Sequence, residues 1–259
     1  MNKILEISKL FFACCALCAV ILCGCRKEVE NGTAADTSAE SGQLLNGGFE
    51  DWHGTGKEAE PVHWHSFMSA DGEGLAYNAA RAQQVQPSSE VRPGSEGKTS
   101  VCIYARSILG IIANGNLTTG RIHVGSANAD DASNYNFTQL SNENFCQILT
   151  AKPDSIRFWA KFECPDAEQK ARMSAIIHDA YDYRDPEAPG DLVHAVGKAC
   201  HEFTKGDGAW HCYTLPFDYA YAAAEPHFLL ISFTTNAVHG KGSKKDKLYI
   251  DDVELVYAR

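Results

Sequence analysis

Residues 155–163 alternate apolar and polar side chains with a period of two. The apolar set consists of Ile156, Phe158, Ala160 and Phe162. The other set consists of Arg157, Trp159, Lys161 and Glu163. Because successive side chains of a strand point to opposite faces, this pattern predicts a β-strand with one buried face.

Similar strand signals, separated by turn residues, recur along the chain. They cover residues 98–105, 108–113, 173–179, 199–203, 210–215, 228–235 and 248–257. Residues 75–85 are rich in alanine and glutamine and predict a helical turn, and no long helical period occurs elsewhere. Eight or more strands with almost no helix predict an all-β chain built as a two-sheet antiparallel sandwich.

The first 24 residues have the features of a targeting segment and are excluded from the predicted fold. Lys3 and Lys9 precede an apolar run, residues 10–23, that is too short to span a bilayer comfortably. The run ends in Leu-Cys-Gly-Cys, which resembles the lipobox of bacterial lipoproteins. That resemblance implies a lipid on Cys25 that anchors the chain to a membrane. An ordinary cleaved signal or a buried helix is the alternative.

The rest of the chain divides into a tether and a domain. Residues 26–43 are polar, rich in Glu, Ser, Ala and Thr, and show no apolar periodicity. This composition predicts a flexible spacer. Residues 44–259 have the length of one large all-β domain. The predicted organisation is therefore a signal peptide over 1–24, a lipidated cysteine and tether over 25–43, and a sandwich domain over 44–259.

The charge and the motifs narrow the function. The formal net charge of −10 at pH 7 argues against nucleic acid and against polyanionic glycans as partners. The sequence contains no Gly-rich phosphate loop, no G-x-S-x-G nucleophile elbow, no H-E-x-x-H and no dinucleotide fingerprint. None of the common motif-marked enzyme classes is indicated.

Five of the ten cysteines lie beyond residue 25, and an odd number cannot all pair within the chain. Cys200 and Cys212 are equally distant from Gly206. A hairpin centred on that glycine would place the two cysteines opposite each other. The spacing therefore predicts either a cross-strand disulfide or a pair of buried thiols.

Trp159 is the most informative single residue for binding. Parity places it with Arg157 and Lys161, opposite the apolar set, on the outer face of a sheet. An indole ring can stack on the apolar face of a sugar while neighbouring donors bond the hydroxyls. These three residues are therefore one candidate carbohydrate site. The alternative is that a loop covers this face and that Trp159 belongs to the core.

A second candidate group follows residue 177. His178, Tyr181 and Tyr183 form the densest cluster of potential carbohydrate-binding side chains, beside Asp179, Asp182 and Asp185. Glycoside hydrolysis would require two of these carboxylates about 5–10 Å apart across the scissile bond. The alternative is a solvated acidic loop.

The last predicted strand places Asp251 on its apolar side, next to Asp252. A buried carboxylate requires a hydrogen-bond or cation partner. A structural calcium held by Glu50 and these acids would supply one, because calcium prefers hard oxygen ligands. Hydrogen bonds from loop backbone amides are the alternative.

Several motifs together resemble a known family. Residues 46–52, N-G-G-F-E-D-W, and 248–257, L-Y-I-D-D-V-E-L-V-Y, resemble the two ends of galactose-binding-like carbohydrate modules. Residues 112–121, 152–162 and 210–219 resemble the carbohydrate metabolism domain (PCMD) found in lipoproteins of gut Bacteroidetes. Phe49, Trp52 and Trp64 are then expected to pack where the first and last strands meet.

The resemblance implies a jelly-roll sandwich and an outer-membrane lipoprotein, either periplasmic or at the cell surface. It further implies a glycan ligand, captured for partner hydrolases or importers, and it carries no catalytic residues over. Two alternatives stay open: a glycoside hydrolase or related carbohydrate-active enzyme, and a structural or adhesive surface protein.

Overall fold

A computed structural model of the chain describes residues 42–108, 110–223 and 225–258. The strands are β1 (Trp52–His53), β2 (Glu60–Pro61), β3 (Asp71–Gly72), β4 (Val85–Ser88), β5 (Ser100–Tyr104), β6 (Arg106–Ile108), β7 (Ile111–Ala113), β8 (Asn116–Thr118), β9 (Arg121–Val124), β10 (Asn134–Phe137), β11 (Gln147–Ile148), β12 (Ser155–Glu163), β13 (Lys170–His178), β14 (Arg184–Asp185), β15 (Ala195–Thr204), β16 (His211–Pro216), β17 (Phe228–Thr234) and β18 (Lys247–Val256). One short α-helix, α1 (Gly74–Ala80), and three 3-10 turns (Gly56–Glu58, Glu143–Phe145 and Asp191–His194) complete the elements. The predicted signal peptide, Cys25 and all of the tether up to residue 41 lie outside the described residues.

Two five-stranded antiparallel sheets form the sandwich. One has the strand order β16-β12-β18-β5-β4, and the other has β11-β17-β13-β15 with β8 also paired to β17. A smaller sheet, β14-β10-β9-β3, contains one parallel pair, β3 with β9. The predicted all-β, antiparallel jelly-roll sandwich is confirmed.

The core lies between the two large sheets and follows the alternation in the sequence. All four apolar residues of β12 are buried, as predicted, and Phe158 is completely so. Its ring meets Phe203 and Phe233 of the opposite sheet edge-to-face, with centroids 5.9 and 5.4 Å apart. Burial of one face of β12 is what orders these strands, since apolar area removed from water is the main stabilising term.

The first and last parts of the described chain meet as expected. Trp64 is fully buried between Phe49 and Phe233, at centroid distances of 5.1 and 6.2 Å. The Val253 amide donates to the Gly47 carbonyl at 2.8 Å. A Cβ at residue 47 would collide with the Val253 carbonyl oxygen, so this close approach requires glycine.

The ordered domain includes residues 42 and 43, two residues that the sequence assigns to the tether. The Gln43 side chain donates to the Leu255 carbonyl at 2.7 Å and accepts from the Leu255 amide at 2.9 Å. Gly42 accepts a bond from the Tyr257 hydroxyl. Residues 42 and 43 therefore pair with the last strand instead of belonging to a free spacer.

The predicted hairpin centred on Gly206 is wrong. β15 pairs with β13, whereas β16 pairs with β12 in the other sheet, so the chain crosses between sheets at this point. Cys200 and Cys212 are both exposed and free, and neither a disulfide nor buried thiols form. Their symmetrical spacing did not reveal which strands pair.

The predicted helical turn is present as α1, which ends five residues earlier than the predicted segment. Its Ala76, Tyr77 and Ala80 pack on Ile122 and Val124 of β9. Among the described residues, no helix has the length and apolar character needed to cross a membrane.

Candidate ligand site

A cavity of about 270 Å³ lies between the small sheet and the outer face of β8-β17-β13. We call it the Arg172 cavity. Its polar floor consists of Asn116, Asn136, Arg172, Asp185 and Thr234. Its rim is apolar and is formed by α1 and the β6–β7 hairpin. The volume is slightly below the usual range for small-molecule sites, roughly 300–1,000 Å³.

The floor is made of two cross-strand rows. In the large sheet, Thr234 is paired with Asn116 on one side and with Arg172 on the other. In the small sheet, Asn136 is paired with Asp185. Residues paired directly across neighbouring strands point to the same face of a sheet, so strand register alone aligns these side chains.

Two hydrogen-bonded pairs connect the rows. Arg172 donates to both oxygens of Asp185, at 3.0 and 2.8 Å. Asn116 and Asn136 exchange side-chain amide bonds at 2.8 and 3.2 Å. Asn136 also donates to the Ser232 hydroxyl at 2.8 Å. Each of these hydrogen bonds holds the direction of the polar groups that it joins.

Arg172 and Asp185 form a salt bridge that is mostly buried. The Arg172 side chain is 29% exposed and that of Asp185 is 4% exposed. Burial alone would lower the pKa of Arg172, but the charge and hydrogen bonds of Asp185 raise it above its ordinary value. Two of the five guanidinium N–H groups serve Asp185, which leaves three for other acceptors. Each Asp185 oxygen retains a further lone pair.

Gln84 supports the wall of the cavity next to β7. This fully buried side chain donates to the carbonyls of Ala113 and Asn114, at 3.0 and 2.7 Å. Both of these residues line the cavity. The Arg106 guanidinium donates to the Ala79 carbonyl at 3.3 Å and so ties the β6–β7 hairpin to the end of α1.

The predicted cluster His178, Tyr181 and Tyr183 lies behind this site and supports it. His178 and Tyr183 are fully buried and stack on each other at 5.3 Å, so neither is available to a ligand. Tyr181 is partly exposed, but its ring stacks on His194 at 3.8 Å and its hydroxyl donates to Asp191 at 3.1 Å. The cluster organises the loop that carries Asp185 into the cavity.

Burial has a measurable consequence for two histidines. It lowers the pKa of His178 and of His65 to about 4, against an ordinary value of 6.5. The hydrogen bonds fit a neutral ring in His178, with Nδ1 donating to the Asp179 carbonyl and Nε2 accepting from Thr138, each at 2.8 Å. Below about pH 6.5 the same histidine binds a proton in the unfolded chain but stays neutral in the folded one. Protonation of the unfolded chain then lowers the free energy of unfolding.

We therefore expect the free energy of unfolding to fall as the pH drops from 6.5 towards 4. The contribution of each histidine to the free energy of unfolding is fully present above pH 6.5. The pKa shift from 6.5 to about 4 corresponds to a loss of about 3 kcal/mol for each histidine. Urea titrations at pH 7.5, 6 and 5 measure this loss. The variant His178→Gln should show a shallower pH dependence than the wild type, and an unchanged slope would contradict this origin.

The three predicted carboxylates of the loop have separate partners. Asp179 faces His194 at 3.0 Å, Asp182 accepts the Leu140 amide at 2.8 Å, and Asp185 is bound to Arg172. Among the described residues that line the cavity, Asp185 is the one carboxylate. The acidic pair that a hydrolase would need is not assembled here.

Trp159 lies in a second, more open groove on the opposite sheet. The Arg92 guanidinium sits 5.6 Å from the centre of the indole and is bound to Asp252 at 2.6 Å. Arg157 is exposed and forms an ion pair with Glu254 at 2.6 Å. Half-exposure of the ring agrees with the predicted outer face, although Arg92 occupies part of the indole surface.

Lys161 does not join this groove. It is 5% exposed, although parity placed it with Trp159. Its ammonium contacts Glu90 at 2.5 Å and Glu163 at 2.8 Å, and it lies 4.5 Å from the centre of the Tyr249 ring. Side chains from neighbouring segments cover it, which parity within one strand cannot show.

The predicted calcium ligands are engaged by hydrogen bonds. Glu50 accepts the Lys98 and Thr99 amides, both at 2.9 Å, and Asp252 is bound to Arg92. Asp251 accepts the Arg92 amide at 3.0 Å, and burial raises its pKa to about 6. Its Oδ1 has no partner within the described part of the chain, but no group of three metal-ligating side chains occurs there. The set fits the hydrogen-bonded alternative better, and calcium binding stays a prediction.

Glu50 offers a direct test of that alternative. Glu50→Gln removes the charge that accepts two backbone amides, and we expect a loss of about 1–2 kcal/mol in the free energy of unfolding. Calorimetric melting measures the loss with and without a calcium chelator. If chelation lowered the melting temperature of the wild type and left Glu50→Gln unaffected, a calcium role for Glu50 would replace the hydrogen-bonded one.

The sequence offered weak signals for the floor. Arg172 immediately precedes the strand predicted over 173–179. Asn116 lies just beyond the strand predicted over 108–113, and Asn136 lies in a four-residue strand that is too short to show a period. An alternation extended back to residue 170 would have placed Arg172 on the outer face of β13.

The comparisons with known proteins bear on the fold. No family model and no curated protein matches the chain. A candidate glycoside hydrolase from Bacteroides thetaiotaomicron VPI-5482 has a TM-score of 0.58 at 18% identity, covering 82% of this chain and 70% of that one. It shares the fold.

Two further solved structures are more distant. A candidate glycoside hydrolase from Bacteroides vulgatus ATCC 8482 has a TM-score of 0.45 at 15% identity, covering 67% of this chain and 77% of that one. A carbohydrate-binding module solved with β-1,4-galactotriose has a TM-score of 0.37 at 12% identity, covering 83% and 97%. These likenesses are too remote to assign function.

Proposed function

We propose that this protein binds a carbohydrate in the Arg172 cavity and does not cleave it. The observation that carries the proposal is the polar floor, in which two amides, a guanidinium and a carboxylate are held side by side. Beyond the bonds that they make with each other, Arg172 retains three N–H donors, Asp185 a lone pair on each oxygen, and Asn116 one N–H and one lone pair for the hydroxyls of a sugar ring. A mainly apolar cavity with a few convergent polar groups is the usual form of a small-molecule site.

The state of Asp185 supports binding without cleavage. A glycosidase needs a general acid and a second carboxylate about 5–10 Å away. Asp185 is the one carboxylate among the described residues that line the cavity, and both of its oxygens accept hydrogen bonds from Arg172. The fold is shared with a protein described as a candidate glycoside hydrolase, but a fold does not carry an activity with it. Turnover is therefore measured alongside binding.

A glycan array probed with the full chain tests the proposal. The informative variant is Arg172→Met/Asp185→Leu, which removes both charges and roughly keeps the volume. Lys170→Met/Glu202→Leu is the control, because that exposed ion pair joins β13, the strand that carries Arg172, to β15 and does not line the cavity. We expect the first variant to lose array binding at least tenfold and the control to retain it.

Three results would contradict the proposal. Equal binding by the wild type and by a folded Arg172→Met/Asp185→Leu variant would remove the cavity from consideration. Loss of binding in Trp159→Ala alone would move the site to the groove of Trp159 and Arg157. Release of reducing sugar from bound glycans would favour the hydrolase alternative.

We also propose an anchored location for the protein. Cys25 carries the lipid, which anchors the folded domain to the outer membrane. Bound glycan can be passed there to importer or hydrolase proteins. The apolar run before a Gly-Cys step supports this proposal. Mass spectrometry of the purified protein should find an acylated Cys25, and an unmodified Cys25 in the membrane fraction would contradict it.

A further inference from the structure

The rim of the Arg172 cavity differs sharply from its floor. Leu75 is 90% exposed and Ile111 is 49% exposed, and both line the cavity together with Ile108 and Ile112. The floor residues Asn136, Asp185 and Thr234 are all buried. Polarity thus changes along the depth of the cavity, from hydrogen-bonding groups at the bottom to aliphatic groups at the mouth.

The apolar rim is held in place by specific bonds. Gln84 fixes the end of β7 through the Ala113 and Asn114 carbonyls, and Arg106 joins the hairpin to the end of α1. The inner face of α1 packs on β9, which leaves Leu75 directed away from that contact. A group of aliphatic side chains that line one cavity mouth is the kind of apolar patch that marks a ligand-binding groove.

From this gradient we infer the ligand class: a glycoside with an apolar substituent, such as an aryl or alkyl aglycone. The inference rests on the proposed function, since the sugar occupies the polar floor. The aglycone lies at the mouth against Leu75, Ile108 and Ile111. A further sugar unit at that position would turn its hydroxyls towards aliphatic side chains that cannot pair with them, which is unfavourable.

The continuity of the two surfaces selects this occupant over a protein partner. The aliphatic side chains and the hydrogen-bonding side chains line one and the same cavity, and both can be reached by one small amphipathic molecule. Burial of a phenyl group against such a rim should strengthen binding by tenfold or more, on the order expected from the apolar area removed from water.

Isothermal titration of the full chain with pairs of methyl and phenyl β-D-glycosides tests the inference. The pairs are the glucosides, galactosides, mannosides and xylosides, and benzyl alcohol serves as a probe without a sugar. The rim variant Leu75→Ser/Ile111→Ser changes exposed side chains, so folding should be preserved. Ile148→Ser is the matched control, because Ile148 is equally aliphatic, 56% exposed and not part of the cavity lining.

We expect at least one phenyl glycoside to bind about tenfold or more tightly than its methyl partner. The rim variant should bring that ratio close to one, and Ile148→Ser should preserve it. Equal affinities within every pair that binds would overturn the aglycone inference and leave carbohydrate binding intact. Binding of benzyl alcohol as tight as that of the phenyl glycosides, or no binding by any glycoside, would overturn the proposed function as well.

Discussion

Asp185→Ala should lower the free energy of unfolding by about 3 kcal/mol, because it leaves the Arg172 guanidinium without its counter-charge. The pair is bidentate, with contacts at 3.0 and 2.8 Å, and Asp185 is almost completely buried. Removal of one member of a buried ion pair costs more than removal of both, since an unpaired charge then stays desolvated. Urea denaturation at pH 7.5 measures the difference.

Two variants make this prediction specific. Arg172→Met/Asp185→Leu should recover much of the lost stability, because no unpaired charge remains. Glu202→Ala removes the acid from the exposed Lys170–Glu202 pair, which joins β13 to β15, and should leave the midpoint nearly unchanged. A double variant as unstable as Asp185→Ala would contradict the unpaired-charge explanation and point to a packing role.

Trp64→Ala should lower the free energy of unfolding by about 3–5 kcal/mol, the range for removal of a large buried aromatic side chain. Trp64 is fully buried and fills the space between Phe49, near the start of the described chain, and Phe233 of β17. Its Nε1–H also donates to the Leu45 carbonyl at 3.2 Å. The loss combines apolar burial, a cavity and one hydrogen bond.

A graded series checks the assignment of Trp64. Trp64→Phe should cost less than Trp64→Ala, since it keeps an aromatic ring between Phe49 and Phe233. Trp159→Ala removes the same side chain from a half-exposed position and should cost clearly less than Trp64→Ala. Equal losses for the alanine variants of Trp64 and Trp159 would show that the packing of Trp64 against Phe49 and Phe233 does not contribute the expected stability.

The long strands could be predicted because burial of one face imposes a visible period. Residues 155–163 were predicted and observed with the same limits, and β13 extends the predicted segment by three residues at its start. The strands of two to four residues, including β9, β10 and β14, are too short to contain a period. Their pairing depends on contacts between distant parts of the chain, which a local pattern does not contain.

The residues of the candidate site differ from those that the sequence predicts to bind carbohydrate. The loop after His178 contributes Asp185 to the cavity, whereas His178 and Tyr183 themselves are buried. Arg172 and Asn136 acquire their positions from sheet register, which brings residues 36 positions apart onto facing rows. Burial decides which members of a polar cluster a ligand can reach, and burial is a tertiary property.

Trp159 illustrates the same limit. Parity predicted its face correctly, but Arg92, 67 positions earlier in the chain, lies over the indole. Lys161 shares that parity and is nevertheless buried by Glu90 and Glu163. A period of two gives the direction of a side chain and leaves open what covers it.

A nuclear magnetic resonance titration of the full chain with a glycan that it binds tests the central claim most directly. The side-chain amide signals of Asn116 and Asn136 and the Nε–H signal of Arg172 report on the polar floor, and the indole N–H of Trp159 reports on the other groove. We predict saturable shifts in the three floor signals and an unmoved Trp159 indole. Shifts confined to the Trp159 indole, with the floor signals unmoved, would contradict carbohydrate binding in the Arg172 cavity.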